Sequence, residues 1–129
     1  MAEWALLGKL DRTLLEDEFG TLHTDEVILT AERMEHICQH HPEVKEVFSQ
    51  YCRQVVRMPD WILRDERREG TVFLLKRLPE SNLNFVIRLS LEQSYDPRHP
   101  MNSVMTCYQI REQNLKKLLN RNKILYSRE

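Results

Sequence analysis

The sequence has no long hydrophobic run. Val72 to Leu75 is typical of its apolar stretches, whereas a membrane helix needs about twenty apolar residues in a row. No span is therefore expected. Met1 to Leu10 carries Glu3 and Trp4 early and lacks a long apolar core, which does not read as a secretory signal, and a cytoplasmic protein is expected. Three glycines and five prolines among 129 residues exclude collagen-like and low-complexity architectures. Cysteine is scarce as well. Cys38, Cys52 and Cys107 form no CxxC pair, and an odd number of widely spaced cysteines with mostly apolar neighbours reads as reduced, buried thiols. A large charge of one sign is also missing. The formal net charge of -1 argues against a strongly cationic coat that binds nucleic acid without selection. There is no GxSxG elbow, Walker loop or dinucleotide fingerprint.

What remains is the profile of one globular domain over residues 1–129, 41% hydrophobic and 30% charged. A chain of this length buries roughly two thirds of the surface it exposes when unfolded. The charge is unevenly spread. Residues 1–50 hold 11 acidic and 4 basic side chains, and residues 51–129 hold 9 and 15. The second half is suited to facing a polyanion. Neutralisation of one half by the other across the fold is the competing reading, and both stay open.

Periodicity places the elements. Trp4 to Leu15 mixes leucine and charge without a clear period. Glu26 to Thr30 has strand composition, and Thr30 is placed to cap a helix starting at Ala31. Met34, Ile37, Cys38 and His41 fall on one helical face, with Arg33, His36 and His40 opposite. Pro42 opens a second helix, striped by Val44, Val47, Phe48, Tyr51 and Val55 and ended at Met58-Pro59. Beyond Pro59 the period becomes extended. Strands are predicted at Trp61 to Leu63, Thr71 to Leu78, Leu83 to Leu91 and Asn102 to Ile110, with a longer loop over Glu92 to Met101. A helix carrying Leu115, Leu118 and Leu119 follows, and Lys123 to Tyr126 offers a short closing strand. Short connectors favour an antiparallel meander. The expected fold class is α+β, with N-terminal helices packed on a four-stranded antiparallel sheet and a C-terminal helix.

Candidate chemistry begins with the imidazoles. His36 and His40 stand four apart on a helix and could share a zinc, but no HExxH motif or further ligand pair accompanies them, so no metal and no cofactor are assigned. An imidazole at His36 can exchange protons near neutral pH. Lys76 and Arg88 interrupt strands of otherwise apolar residues. Either they mark the solvated face of a half-covered sheet, or they hold a phosphate over an open sheet face. Asn102, Ser103, Thr106 and Tyr108 add an amide and hydroxyls on the last long strand. Strict alternation puts Asn102, Thr106 and Tyr108 on one face and Ser103 on the other.

Several segments, taken in order, carry a resemblance: Val27 to Ile37, His40-His41-Pro42, Pro59 to Asp65, Thr71 to Lys76, Asn84 to Leu89, Asn102 to Thr106, and Leu115 to Tyr126. Together they span about residues 20 to 127 and resemble phage and bacterial domains of the barnase–EndoU–colicin–RelE-like (BECR) superfamily of metal-independent ribonucleases, many of them toxins. The resemblance implies a helical layer on a four-stranded antiparallel sheet and an RNA-cleaving groove. It places the family's helix histidine at His36, its strand lysine at Lys76, its third-strand basic residue at Arg88, its last-strand hydroxyl at Ser103 or Thr106, and its post-helix acid at Asp60.

The mechanism expected from this is cleavage of RNA through its own 2′-hydroxyl to a 2′,3′-cyclic phosphate, tRNA being one candidate target. His36 would act as general base or acid, and Lys76 and Arg88 would neutralise the phosphorane oxygens. Thr106, or alternatively Ser103, would orient the phosphate. Asp60, Asn102 and Tyr108 would contact substrate, with Tyr108 stacking on a base or simply filling the core. Lys116 and Lys117 would track the backbone. The expected partners are an RNA substrate and a cognate antitoxin or immunity protein laying acidic side chains over the groove. The alternative is a catalytically inactive phage or mobile-element protein-binding module of the same fold. A zinc-dependent hydrolase built on His36 and His40 is a third option.

Overall fold

The computed structural model of the protein describes residues 4–79 and 81–128. In chain order they form β1 (Trp4–Lys9), α1 (Arg12–Phe19), β2 (Glu26–Thr30), α2 (Ala31–His40), α3 (Val44–Arg57), β3 (Trp61–Arg64), β4 (Thr71–Arg77), β5 (Asn82–Arg88), a 3-10 turn (Glu92–Ser94), β6 (Asn102–Ile110), α4 (Glu112–Arg121) and β7 (Ile124–Ser127). Among the described residues no helix is long and apolar enough to cross a membrane.

The expected four-stranded antiparallel sheet is corrected to a seven-stranded mixed sheet, in the order β1-β2-β6-β5-β4-β3-β7. β3 to β6 are sequential antiparallel neighbours. β2 joins β6 in parallel through Val27↔Asn102 and Ile28↔Ser103. β1 lies antiparallel outside β2, and β7 antiparallel outside β3. The strands expected at Glu26 to Thr30 and Lys123 to Tyr126 are present as β2 and β7, but local pattern does not reveal that they join this sheet. β2 pairs with a strand more than seventy residues away, and β1 falls in a stretch whose mixed composition suits several structures.

Both faces of the sheet are covered, giving three layers. On one face α2 and α3 bury Ile37, Phe48, Val55 and Val56 against Val72, Leu74, Leu83, Phe85 and Ile87. Phe48 stacks on Phe85 with ring centroids 5.4 Å apart. On the other face α4 seats Leu115 against Trp61, Leu63, Phe73 and Leu75. Full burial of a leucine or phenylalanine contributes about 1.5–3 kcal/mol, so the two-sided sheet explains why β4 reads as a continuous apolar run.

The ends of the elements follow from local chemistry. Thr30 caps α2, its Oγ1 accepting from the Arg33 N–H at 3.1 Å. Asp11 does the same for α1, accepting from the Leu14 N–H. Gly20 ends α1 with φ +88° and ψ -171°, a region almost confined to glycine. A Cβ there would also stand 2.8 Å from Gln93 Nε2. Gly20→Ala should therefore destabilise the fold by about 1–3 kcal/mol, read as a lowered urea midpoint.

All three cysteines are free, with Cys52 and Cys107 buried and Cys38 partly so. Burial pushes the Cys107 thiol up to about 12 and also raises that of Cys52. A thiol with so high a value stays protonated at pH 8 and is a poor nucleophile. Iodoacetamide at that pH should label Cys38 first. Cys107 should react only once the protein is unfolded, as mass spectrometry of the peptides would show.

Candidate functional site

Residues opposite each other across strands share a sheet face. Arg88 pairs with Thr71 and with Ser103, Val86 with Thr106, and Asn84 with Tyr108. Val86 and Tyr108 pack in the cluster under α4, so Arg88, Ser103, Thr106 and Tyr108 all lie on that face. This corrects the alternation read from sequence. The register of β6 shifts between Val86 and Ile87, inserting Met105 as an extra residue, and a bulge of this kind turns the residues beyond it toward the opposite face. Ser103 thereby joins Thr106 and Tyr108, and Asn102 is left on the other side of the sheet.

Asn102 is fully buried and structural. Its Oδ1 accepts from the Ser90 N–H at 2.7 Å, and its Nδ2 donates to the Thr24 and Glu26 carbonyls at 2.8 and 2.9 Å. It clamps β6 to the start of β2 and to the segment after β5, which removes it from substrate contact.

The structure does not gather His36, Lys76 and Arg88. Lys76 pairs with Leu83 on the face covered by α2 and α3. Thr71, which pairs with Arg88, is five residues earlier on β4 and therefore on the other face, about 16 Å away along the strand. Lys76 is buried, its Nζ donating to the Met58 carbonyl at 2.8 Å and lying 3.8 Å from Asp60 Oδ1. Asp60 is buried too. Its Oδ2 accepts from the Arg77 N–H at 2.8 Å, and its Oδ1 stands 3.4 Å from Arg128 Nη1. Lys76 and Asp60 thus tie the end of α3 to β4 and the C-terminal strand, and neither offers its charged group to a substrate.

His36 is exposed on α2, which packs against β2 and β6. Its ring lies 4.4 Å from that of His40. Among the described residues no three or more His, Cys, Asp or Glu side chains gather as metal ligands, so the zinc option has no third donor. His41, beyond the end of α2, brings its ring to 5.7 Å from Tyr108. The Tyr108 hydroxyl accepts from Asn84 Nδ2 at 2.9 Å, which fixes the ring within the sheet's packing. Thr106 and Ser103 are half-buried, and Ser103 Oγ donates to the Met101 carbonyl at 3.2 Å. Lys116 and Lys117 are exposed on α4.

Arg88 is the candidate cation left available. It is exposed, and no hydrogen bond or ion pair engages its guanidinium among the described residues. It lines a cleft of about 580 Å³ together with Gly70, Ser90 and His99. Ser90 is a residue that sequence pattern undervalued. It was legible only as Arg88's neighbour two positions on, on the polar side of the strand predicted over Leu83 to Leu91, with nothing to mark a cleft there.

Glu18 also borders this cleft. Its carboxylate accepts from Arg64 and from Lys123, each at 2.6 Å. The Lys123 and Arg64 hydrogen bonds hold its carboxyl below the usual 4.5. A carboxyl depressed in the folded state is protonated first in the unfolded chain. The stability it gives is present above about pH 4.5 and is lost as pH falls through the folded value. Glu18→Gln should flatten the decline of thermal stability between pH 5 and pH 3 relative to the parent, as paired melts would show.

Comparison of the chain with protein-family models, with curated proteins and with solved structures finds no match in any of the three. The fold and the site therefore speak through their own geometry: a three-layer domain whose α4-side sheet face carries Arg88, Ser103 and Thr106, with a polar cleft at the end of β5 between α1 and the segment 89–101.

Proposed function

We propose that the protein is a metal-independent, toxin-like endoribonuclease that cleaves RNA by attack of the 2′-hydroxyl on the neighbouring phosphorus. The observation that carries this reading is Arg88: an exposed guanidinium without a partner, directly across from Ser103 and one row from Thr106 on the same sheet face. A fork of N–H donors beside hydroxyls is the chemistry that seats a phosphodiester and stabilises the charge of its transition state. The resemblance to the BECR ribonucleases supports the same reading. Lys76 has no part in this form of the mechanism. Proton transfer falls to His99, which lines the same cleft as Arg88; the His36 that the resemblance favours is carried by α2 on the opposite face of the sheet and has no part in this form of the mechanism. Lys116 and Lys117 flank the path of the RNA backbone, and a cytoplasmic antitoxin or immunity protein is the natural protein partner.

The test is incubation with tRNA and rRNA in EDTA, followed by mapping of product ends. Fragments ending in a 2′,3′-cyclic phosphate are expected. Intact RNA would remove the enzymatic reading.

A second reading, a non-catalytic protein-binding module, is favoured by one feature. Trp4 and Leu6, 57% and 40% exposed, lie on one face of the edge strand β1, an arrangement suited to a protein partner. Loss of cleavage with retained capture of a partner through β1 would establish it.

A further inference from the structure

We propose that the cleft beside Arg88 is a nucleotide subsite, which takes a nucleoside monophosphate unit with its phosphate on the Arg88 guanidinium and its sugar and base in the cleft. The inference rests on the ribonuclease reading for the chemical class of its ligand, and on the cleft itself for everything else. Three observations carry it. The cleft holds about 580 Å³, within the range of sites that enclose a small molecule. Its walls are of two kinds. Phe19, Leu91 and Met101 supply apolar surface, and Arg88, Ser90 and His99 supply polar groups. A nucleotide needs that division, with a flat base against one wall and an anion at the other end.

The third observation is Ser90. The residue is only 5% exposed, and its Oγ has no hydrogen-bond partner among the described residues. A buried hydroxyl without a partner costs about 1–3 kcal/mol, so such groups are few and call for an explanation. The Oγ is closed to a water-sized atom as the side chain stands, so a ribose hydroxyl or phosphate oxygen in the cleft supplies the missing partner once Ser90 turns to another χ1 rotamer toward the cleft it lines. Ser90 follows Arg88 by two residues, and its main chain is held by Asn102 Oδ1 at 2.7 Å, so only the side chain has to turn.

The acidic side chains that border the cleft do not make it a cation site. Glu18 is engaged by Arg64 and Lys123, and Asp96 by Arg98, leaving Glu69 as the carboxylate with no partner among the described residues. Glu69 can accept from the N–H groups of a base, and this would bias the subsite toward bases with an exposed amino group.

The test is calorimetric titration of the full chain with adenosine 3′-monophosphate and uridine 3′-monophosphate, with adenosine and inorganic phosphate as separate probes. The monophosphates are expected to bind at least tenfold more tightly than either adenosine or phosphate. Arg88→Ala and Ser90→Ala should each weaken them at least tenfold. Ser90→Ala should melt no lower than the parent, because it removes an unsatisfied group, and a purely structural serine would not pair that result with lost affinity. Equal affinity for phosphate and the monophosphates would overturn the proposal, as would unchanged binding in Ser90→Ala. Cyclic-phosphate products from RNA without saturable monophosphate binding would sink the subsite and leave the ribonuclease reading standing. Monophosphate binding that depends on Ser90, with RNA left uncut, would do the reverse.

Discussion

Asp60→Ala is expected to lower stability by about 3–5 kcal/mol, the cost of stripping the counter-charge from a buried ion. Lys76 Nζ is held inside the protein by the Met58 carbonyl and the Asp60 carboxylate. Without that carboxylate the ammonium faces only a carbonyl dipole, and the Arg77 N–H loses its acceptor. The reciprocal change, Lys76→Met, should cost less. Asp60 would keep the Arg77 N–H and the Arg128 guanidinium, and the methionine stem fills the space of the lysine stem. Urea unfolding of the two single variants and the double variant measures the coupling between them directly. If Asp60→Ala unfolds within 1 kcal/mol of the parent, on the scale on which a buried pair is worth several, the structural role given to this pair is wrong.

The contrast between Lys76 and Arg88 shows where sequence stops being informative. Arg88 falls on the polar side of a strand whose other side, Leu83, Phe85 and Ile87, is continuous core, so its exposure was legible from alternation. Lys76 follows Val72, Phe73, Leu74 and Leu75, all buried. A strand covered on both faces has no polar side for alternation to reveal. Whether a cation in such a strand is solvated or buried is decided by the turn after α3, which supplies Met58 O and Asp60. The Met105 bulge is equally silent, because one inserted residue leaves composition and average period unchanged while exchanging the faces of everything beyond it. By contrast the Thr30 cap was readable, since it needs only a hydroxyl immediately before a helical period. The helices α2, α3 and α4 and the central strands were likewise visible locally, whereas α1 lies in a stretch without a clear period. The place of β1, β2 and β7 in the sheet and the Asn102 clamp depend on contacts between distant segments. The same is true of the candidate site: its individual residues stood out, and their grouping did not.

Arg88→Ala is expected to slow RNA cleavage by about 10²–10³-fold, the loss found when one donor to a developing oxyanion is removed. The effect should fall on turnover as well as on affinity, because the guanidinium is asked to hold more charge in the pentacoordinate state than in the ground state. Arg88→Lys should restore part of the rate. It returns the charge and lacks the planar fork that can hold two phosphate oxygens at once. The folded protein should tolerate each change, since Arg88 is exposed and makes no hydrogen bond or ion pair among the described residues. Lys76→Met, assayed at a temperature where it is fully folded, should cleave at the parental rate, because its ammonium points into the protein on the far face of the sheet. Initial rates on a single RNA substrate in EDTA distinguish the two cations. If Lys76→Met abolishes cleavage and Arg88→Ala does not, the phosphate lies on the α2–α3 face, and the reading built on Arg88, Ser103 and Thr106 has the wrong side of the sheet.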